Sequence, residues 1–191
     1  MLMVYGCAAT HTIWPQKDVG FHEINRADLD KRVLIASQES EFKRTIIDRI
    51  TNEYKSQPVY LKIIGIADLP LEDAYQYSAV VLINACMAWT IDRTVKQFLE
   101  TYGDLPMIIV LTTSGSGDVF AKLENRQIDA ISSASVKEDA DPVARKLIVK
   151  IKRHLSILHE PFRHRLTLCA SGSAGRDAWR HYPWKRTALR R

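Results

Sequence analysis

Apolar residues fall into two alternating patterns along this chain, short continuous runs and longer stretches with helical spacing. Runs rich in Val and Ile occupy residues 33–37, 59–66, 79–84 and 107–112. Such runs are typical of strands that are buried on both faces of a parallel sheet. We therefore predict four strands there, and a fifth, shorter strand at 128–132.

Helical spacing separates the strands. Apolar residues recur at intervals of three and four over 41–54, and charged residues fill the other positions, which predicts an amphipathic helix. Its apolar positions are Phe42, Ile46, Ile47, Ile50 and Tyr54. A second helix is predicted after the third strand, and a third from about 142 to 154, with Pro142 in its first turn. The alternation of strands and helices predicts an α/β fold, a three-layer α/β/α sandwich.

Composition divides the chain into three parts. We predict an N-terminal extension at 1–30, a folded domain at 31–157 and a basic tail at 158–191. The net charge of the whole chain is +5, but residues 161–191 alone carry +7, which leaves −2 for residues 1–160. The tail lacks helical or strand periodicity, so we expect a disordered, solvated extension rather than a nucleic-acid partner. A shifted reading frame near the end of the gene would give the same change in composition.

The N-terminal segment contains a candidate lipidation site. The first nine residues are apolar without a preceding positive charge, so as written they do not form a secretory signal, and we expect a cytoplasmic protein. However, Val4-Tyr5-Gly6-Cys7 resembles the lipobox of bacterial lipoproteins. If the true start lies upstream, Cys7 would carry the lipid and residues 8–30 would tether the domain to a membrane. The three cysteines lack ligand spacing, so no metal site is expected.

Three loops follow predicted strand ends at the same sheet edge, where open parallel sheets bind ligands. The loop after the first strand opens a helix, and such helix starts bind anions. Ser37 and Ser40 could add hydroxyl donors, although Ser40 could equally cap the helix. Glu39 and Glu41 place negative charge where an anion would lie.

The other two loops suggest a flat ligand. Trp89, after the third strand, is either a lid on the core or a stacking platform. Residues 112–118, after the fourth strand, contain two glycines and four hydroxyl side chains. Glycines allow backbone amides to approach a ligand closely. Because all three loops share one edge, a binding site there is a sound hypothesis.

Residues 32–155 resemble the flavodoxin-like superfamily, which includes flavodoxins and flavin-dependent reductases. The resemblance rests on the three loops, on 68–82 before the third strand, and on 129–135, which resembles a feature of small uncharacterised members, some of them lipoproteins. It implies a five-stranded parallel sheet of order 2-1-3-4-5 and FMN as the cofactor. The positions that match the phosphate loop are Ser37, Gln38, Ser40 and Phe42. The positions that match the two ring loops are Asn84, Ala85 and Trp89, then Thr113, Ser114, Gly115, Gly117 and Asp118.

Two functions follow from this resemblance. The first is a flavoprotein, an FMN-dependent oxidoreductase that transfers electrons or reduces a small quinone-like acceptor. The alternative is a cofactor-free flavodoxin-like protein with a binding or envelope-associated role, which Glu39 and Glu41 favour. Phosphotransfer is not expected, because Asn84 stands where a receiver domain needs an aspartate. Dinucleotide binding is not expected either, because it requires glycines after the first strand and none is present there.

Overall fold

Strands and helices alternate through the part of the chain that the computed structural model describes, which comprises residues 17–86, 90–118, 120–121 and 128–157. The strands are β1 His22–Ile24, β2 Arg32–Ser37, β3 Tyr60–Gly65, β4 Ala79–Ala85, β5 Ile108–Ser114 and β6 Asp129–Ala134. The α-helices are α1 Glu41–Tyr54, α2 Arg93–Tyr102 and α3 Ala140–Ile157. Short 3-10 helices span Ile66–Leu71, Ala74–Gln76 and Lys137–Asp139.

The sheet has six strands in the order β1-β3-β2-β4-β5-β6. β1 pairs with β3 in the antiparallel direction, and every other pairing is parallel. The predicted five-stranded parallel sheet therefore lacked β1. No hydrophobic pattern predicts this strand, because its three residues contain one apolar side chain, Ile24, and lie at an edge that needs no continuous apolar run. The five parallel strands alone follow the doubly wound, flavodoxin-like order.

Two apolar cores cover the two faces of the sheet. On one face, alternate residues of β2 such as Val33 and Ile35 pack under α1 and α3. On the other, Leu34 and Ala36 pack under α2 and the 3-10 segments. Each fully buried Val, Leu or Ile contributes roughly 1.5 to 3 kcal/mol relative to exposure. The continuous apolar runs are explained by this burial on both sides.

The helix bounds differ in how well the sequence predicts them. α1 begins and ends where its apolar spacing begins and ends, and Ser40 provides its N-cap. α3 spans Ala140–Ile157 and therefore extends beyond the predicted 142–154 at both ends. Within the described residues, no helix is both long and apolar enough to cross a bilayer.

The direction of the connections changes between β2 and β4. The helix after β2 lies on one face of the sheet, whereas the connection and the helix on either side of β4 lie on the other face. This arrangement opens a crevice between the carboxyl ends of β2 and β4, the place where doubly wound sheets bind their ligands. We call this crevice the switch point.

Candidate functional site

A row of polar side chains crosses the sheet at the switch point. Asn84 pairs with Thr112, and Thr112 pairs with Ser132, so the three side chains lie side by side on one face. Ser37 pairs with Ile83, which brings the next residue, Gln38, to the same level. Polar residues thus replace the apolar ones where the strands reach the carboxyl edge.

Gln38 lies at the β2 end of this row and is the centre of a hydrogen-bond network. Its side chain is buried, with 3% of the residue exposed. Its Nε2 donates to Asp92 Oδ2 at 3.1 Å, and its Oε1 accepts from the Ala85 amide at 2.9 Å and from Lys43 Nζ at 3.3 Å. Gln38, matched to the phosphate loop by sequence, therefore ties the ends of β2 and β4 to the starts of α1 and α2.

Asn84 and Asp92 extend the same network. Asn84 Nδ2 donates to the Leu111 carbonyl at 3.3 Å, and Asn84 Oδ1 accepts from the Asp92 amide at 3.4 Å. Asp92 also caps α2, since its Oδ1 accepts from the amides of Thr94 at 2.8 Å and Val95 at 3.4 Å. The sequence analysis missed Asp92 as a site residue, although an Asp just before a helical pattern is a standard N-cap signal.

Lys43 is a second residue that sequence reasoning missed. It lies in the first turn of α1 and is buried, with 2% exposed. Burial lowers its pKa to about 8, and the negative charges of Asp18 and Asp92 oppose that shift only in part. A buried ammonium at a helix N-terminus also opposes the helix dipole. Such groups concentrate at functional sites, but the helical spacing around Lys43 indicated only a solvated face.

The predicted hydroxyl donors of the loop after β2 make internal hydrogen bonds. Ser37 is fully buried, and its Oγ donates to the Gln38 carbonyl at 2.7 Å. Ser40 Oγ accepts from the Lys43 amide at 3.2 Å and so caps α1. Phe42 packs in the core beneath α1 with 6% exposed. The geometry thus gives these three side chains structural contacts.

A short segment before β1 lies across the same loop. In this N-terminal strap, Lys17–Val19, the Lys17 carbonyl accepts from the Glu39 amide at 2.6 Å, and the Val19 amide donates to the Ser37 carbonyl at 3.2 Å. Asp18 Oδ2 accepts from the Ala67 amide at 2.7 Å. The strap therefore joins the ends of β2 and β3 at the carboxyl edge.

Gly65, the last residue of β3, makes room for the strap. A Cβ at this position would lie 2.7 Å from Cβ of Asp18. Two carbon atoms do not approach so closely, so any larger residue would displace Asp18. The predicted N-terminal extension at 1–30 therefore contains this contact as well as β1.

Carboxylates surround the loop after β2. Glu39 forms ion pairs with Lys17, at 3.0 Å, and with Arg44. Asp18 faces Lys43 closely enough to influence its pKa. Negative charge thus stands where the resemblance to flavodoxins places a phosphate.

The loop after β5 is held by its own hydrogen bonds. Ser114 Oγ accepts from the Gly117 amide at 2.9 Å, and Ser116 Oγ donates to Asp118 Oδ1. Gly117 has a φ of 75°, and a Cβ there would lie 2.5 Å from the Ala134 nitrogen. Gly115 is different, because no atom lies within 4 Å of a Cβ built on it. The backbone around Gly115 is therefore open.

Two hydroxyls of the polar row are buried without a hydrogen-bond partner among the described residues, Thr112 Oγ1 and Ser132 Oγ. By contrast, Thr113 Oγ1 donates to the Asn84 carbonyl at 3.3 Å. Leaving a buried hydroxyl unpaired costs about 1 to 3 kcal/mol. The polar row is therefore satisfied next to Gln38 and unsatisfied toward β6.

Several predicted features lie outside the described residues. These are Trp89, Cys7 and the basic tail at 158–191. The stacking role of Trp89 and the lipid anchor at Cys7 stay predictions. The described residues contain no cluster of three or more His, Cys, Asp or Glu side chains arranged to hold a metal ion.

Comparisons with known proteins yield distant structural likenesses. No protein-family model matches the chain, and no curated protein matches it by sequence. A solved archaeal flavodoxin is similar, with 11% identity, a TM-score of 0.45, and coverage of 65% of this chain and 98% of that one. Flavodoxin 2 from Bacillus cereus is similar as well, with 11% identity, a TM-score of 0.44, and coverage of 64% of this chain and 98% of that one.

A flavodiiron protein from Giardia intestinalis is also similar, with 11% identity and a TM-score of 0.46. The match covers 66% of this chain but 36% of the flavodiiron protein. The class that the topology itself defines is a doubly wound α/β domain with a flavodoxin-like sheet and one added antiparallel strand.

Proposed function

We propose that this chain is a cofactor-free flavodoxin-like binding protein. The carrying observation is the N-terminal strap, which crosses the loop after β2 and hydrogen-bonds its Glu39 amide. In this proposal the strap takes the place that a nucleotide phosphate takes in flavodoxins.

The hydrogen-bonding groups of that loop support the proposal. Both hydroxyls, those of Ser37 and Ser40, are engaged in short-range bonds, and the Gln38 side chain is engaged with three partners. A phosphate that accepted from Ser37 Oγ or Gln38 Nε2 would have to replace the acceptors that these two donors already have. These engaged side chains support the proposal that the loop does not hold the phosphate group of FMN.

The charges support it as well. Like charges repel each other strongly where solvent is excluded. A phosphate next to α1 would face the carboxylates of Asp18 and Glu39, and the two cations beside Glu39, Lys17 and Arg44, are already held in ion pairs with it. The ammonium of Lys43 is the buried positive charge beside this loop, and two carboxylates already act on it.

A second candidate is the FMN-dependent protein that transfers electrons or reduces a small quinone-like acceptor. Two observations favour it, the buried cation at Lys43 and the open backbone at Gly115. This candidate requires that the flavin phosphate binds despite the strap, or that the ring alone is held near the loop after β5.

A titration of the full chain with FMN and with riboflavin separates the two candidates, because the ligands differ only in the phosphate. Under the proposal, neither ligand shows saturable quenching of flavin fluorescence, whereas equal micromolar binding of both would mean that the ring alone is held and would also refute the proposal. Lumichrome, which lacks the ribityl chain as well, serves as a control for stacking of the ring alone. Micromolar binding of FMN that is at least about tenfold tighter than that of riboflavin would establish the second candidate and refute the first.

A further inference from the structure

A cavity of about 860 Å³ opens at the amino edge of the sheet, opposite to the switch point. We call it the amino-edge cavity. It is lined by the residues before β4, the loop between α2 and β5, the start of β6 and the last turns of α3. Its volume lies within the range of about 300 to 1,000 Å³ that is usual for small-molecule sites.

The floor of the cavity is apolar. Leu105, Met107 and Ile128 line it and are half-buried, so part of each side chain remains accessible. Covering such surface removes apolar area from water, which favours a complex. A ligand with an apolar body would therefore gain free energy on this floor.

The charges of the cavity leave one cation without a partner among the described residues. Lys150 is paired with Asp129, which neutralises both. Asp104 also takes part in an interaction of its own. Arg153 lines the cavity, is exposed and makes no hydrogen bond or ion pair with the described residues. With respect to the described residues, its guanidinium is therefore available to bind an oxyanion.

His154 adds a polar group on the same side. It is half-buried, and its burial lowers its pKa, with Arg153 and Lys150 adding to the effect and Asp129 opposing it. The lowered pKa favours the neutral form of the imidazole. A neutral imidazole can still donate one hydrogen bond to a ligand.

We propose that the amino-edge cavity binds a small carboxylate with an apolar body. The body lies on Leu105, Met107 and Ile128, and the carboxylate is held by the fork of Arg153. Guanidinium and carboxylate match in geometry, since two parallel N–H groups meet two oxygens. The cavity lies at the edge opposite to the switch point, so its ligand binds whether or not a flavin binds there.

Two probes of equal shape test this proposal, naphthalene-2-carboxylate and its uncharged analogue naphthalene-2-carboxamide. Each is titrated into the full ¹⁵N-labelled chain while amide shifts are followed by NMR. We expect saturable binding of the carboxylate, with shifts at Leu105, Met107 and Ile128. The carboxamide should bind about tenfold more weakly, because it lacks the charge-assisted bond.

Two variants assign the effect to Arg153. Arg153→Gln should reduce the tenfold preference for the carboxylate to less than about threefold. Arg145→Gln is the matched control, since Arg145 lies on the same helix and lines an adjacent groove with Arg153 but does not line the amino-edge cavity. We expect Arg145→Gln to leave both affinities unchanged.

Three results would overturn the proposal. The first is no saturable binding up to the solubility of the carboxylate. The second is an unchanged preference in Arg153→Gln. The third is a loss of preference in Arg145→Gln, which would place the probe in the adjacent groove on α3 instead.

Discussion

Burial of the Lys43 ammonium is unfavourable for folding, and a function or the local hydrogen-bond network must account for it. Its ammonium is buried and has one hydrogen bond, to Gln38 Oε1 at 3.3 Å. No carboxylate lies within ion-pair distance of it among the described residues, although Asp18 and Asp92 both act on its pKa. The protonated form is therefore less favourable in the folded chain than in the unfolded chain.

This difference predicts a particular dependence of stability on pH. With a folded pKa of about 8 and an ordinary value of 10.5, the unfolded state binds more protons between these two limits. Stability therefore rises with pH in that window. We expect Lys43 to contribute a rise of roughly 1 to 2 kcal/mol between pH 7.5 and 9.5.

The Lys43→Met variant isolates this contribution. Methionine fills a similar volume without a charge, so the variant should lose the rise, whereas cysteine and tyrosine titrations affect both proteins alike. The free energy of unfolding is measured in urea at several pH values for the two proteins. Parallel curves would show that Lys43 titrates normally and is not buried as a charge.

Two glycines of the loop after β5 form a natural pair for substitution. Gly117→Ala should destabilise the domain by roughly 2 to 4 kcal/mol, because Cβ would meet the Ala134 nitrogen at 2.5 Å and φ is positive. Gly115→Ala is the control, and it should stay within about 0.5 kcal/mol of the original chain, since a Cβ there meets nothing. Urea unfolding measures both. Equal effects would mean that the loop does not pack against the end of β6 as described.

At the scale of elements, the starts of α1 and α2 differ in what their caps do. Ser40 accepts a hydrogen bond from one backbone amide of α1. Asp92 accepts hydrogen bonds from two backbone amides of α2 and also from the side-chain amide of Gln38. Ser40→Ala should cost about 1 kcal/mol and Asp92→Ala about 2 to 3 kcal/mol, measured by urea unfolding.

Asp92→Ser tests the origin of this difference. Serine can still cap α2 but is too short to accept a hydrogen bond from Gln38. Asp92→Ser should therefore lower the free energy of unfolding by about half as much as Asp92→Ala does. If Asp92→Ala costs no more than Ser40→Ala, the bond to Gln38 contributes nothing, and the network at the switch point is weaker than its geometry indicates.

The elements that depend on local pattern are the ones the sequence predicts well. α1 is predicted to the residue, because its apolar spacing and its cap are both local. β1 is not predictable, because it owes its place to pairing with β3, some 40 residues further along the chain. The same holds for the strap, whose bonds to the loop after β2 are made across about 20 residues.

The candidate site shows the same division. Gln38 and Asn84 reach the predicted edge because strand ends place them there. Their partners, Lys43 and Asp92, lie at helix starts, where a cap or a surface charge is the more common explanation. Only the three-dimensional proximity of the four side chains identifies them as one network.

At the scale of the whole molecule, stability should decrease from the centre of the sheet toward the strap. β2, β4 and β5 are flanked by strands on both sides and are fully buried along most of their length. Two backbone hydrogen bonds hold the strap to the loop after β2. The strap itself buries little apolar surface. Segments with few buried apolar contacts open locally without global unfolding.

Hydrogen exchange can measure this gradient. We expect the amides of Ile35, Val81 and Val110 to exchange only through global unfolding, and those of Val19 and Glu39 to exchange on the order of a hundredfold faster or more. Addition of FMN should leave the exchange of Glu39 unchanged if the strap holds the place of the phosphate. Faster exchange of Val19 together with slower exchange of Glu39 on addition of FMN would mean that the nucleotide displaces the strap. That outcome would reverse the order of the two proposed functions, because the strap would then be a competitor of the flavin and not its replacement.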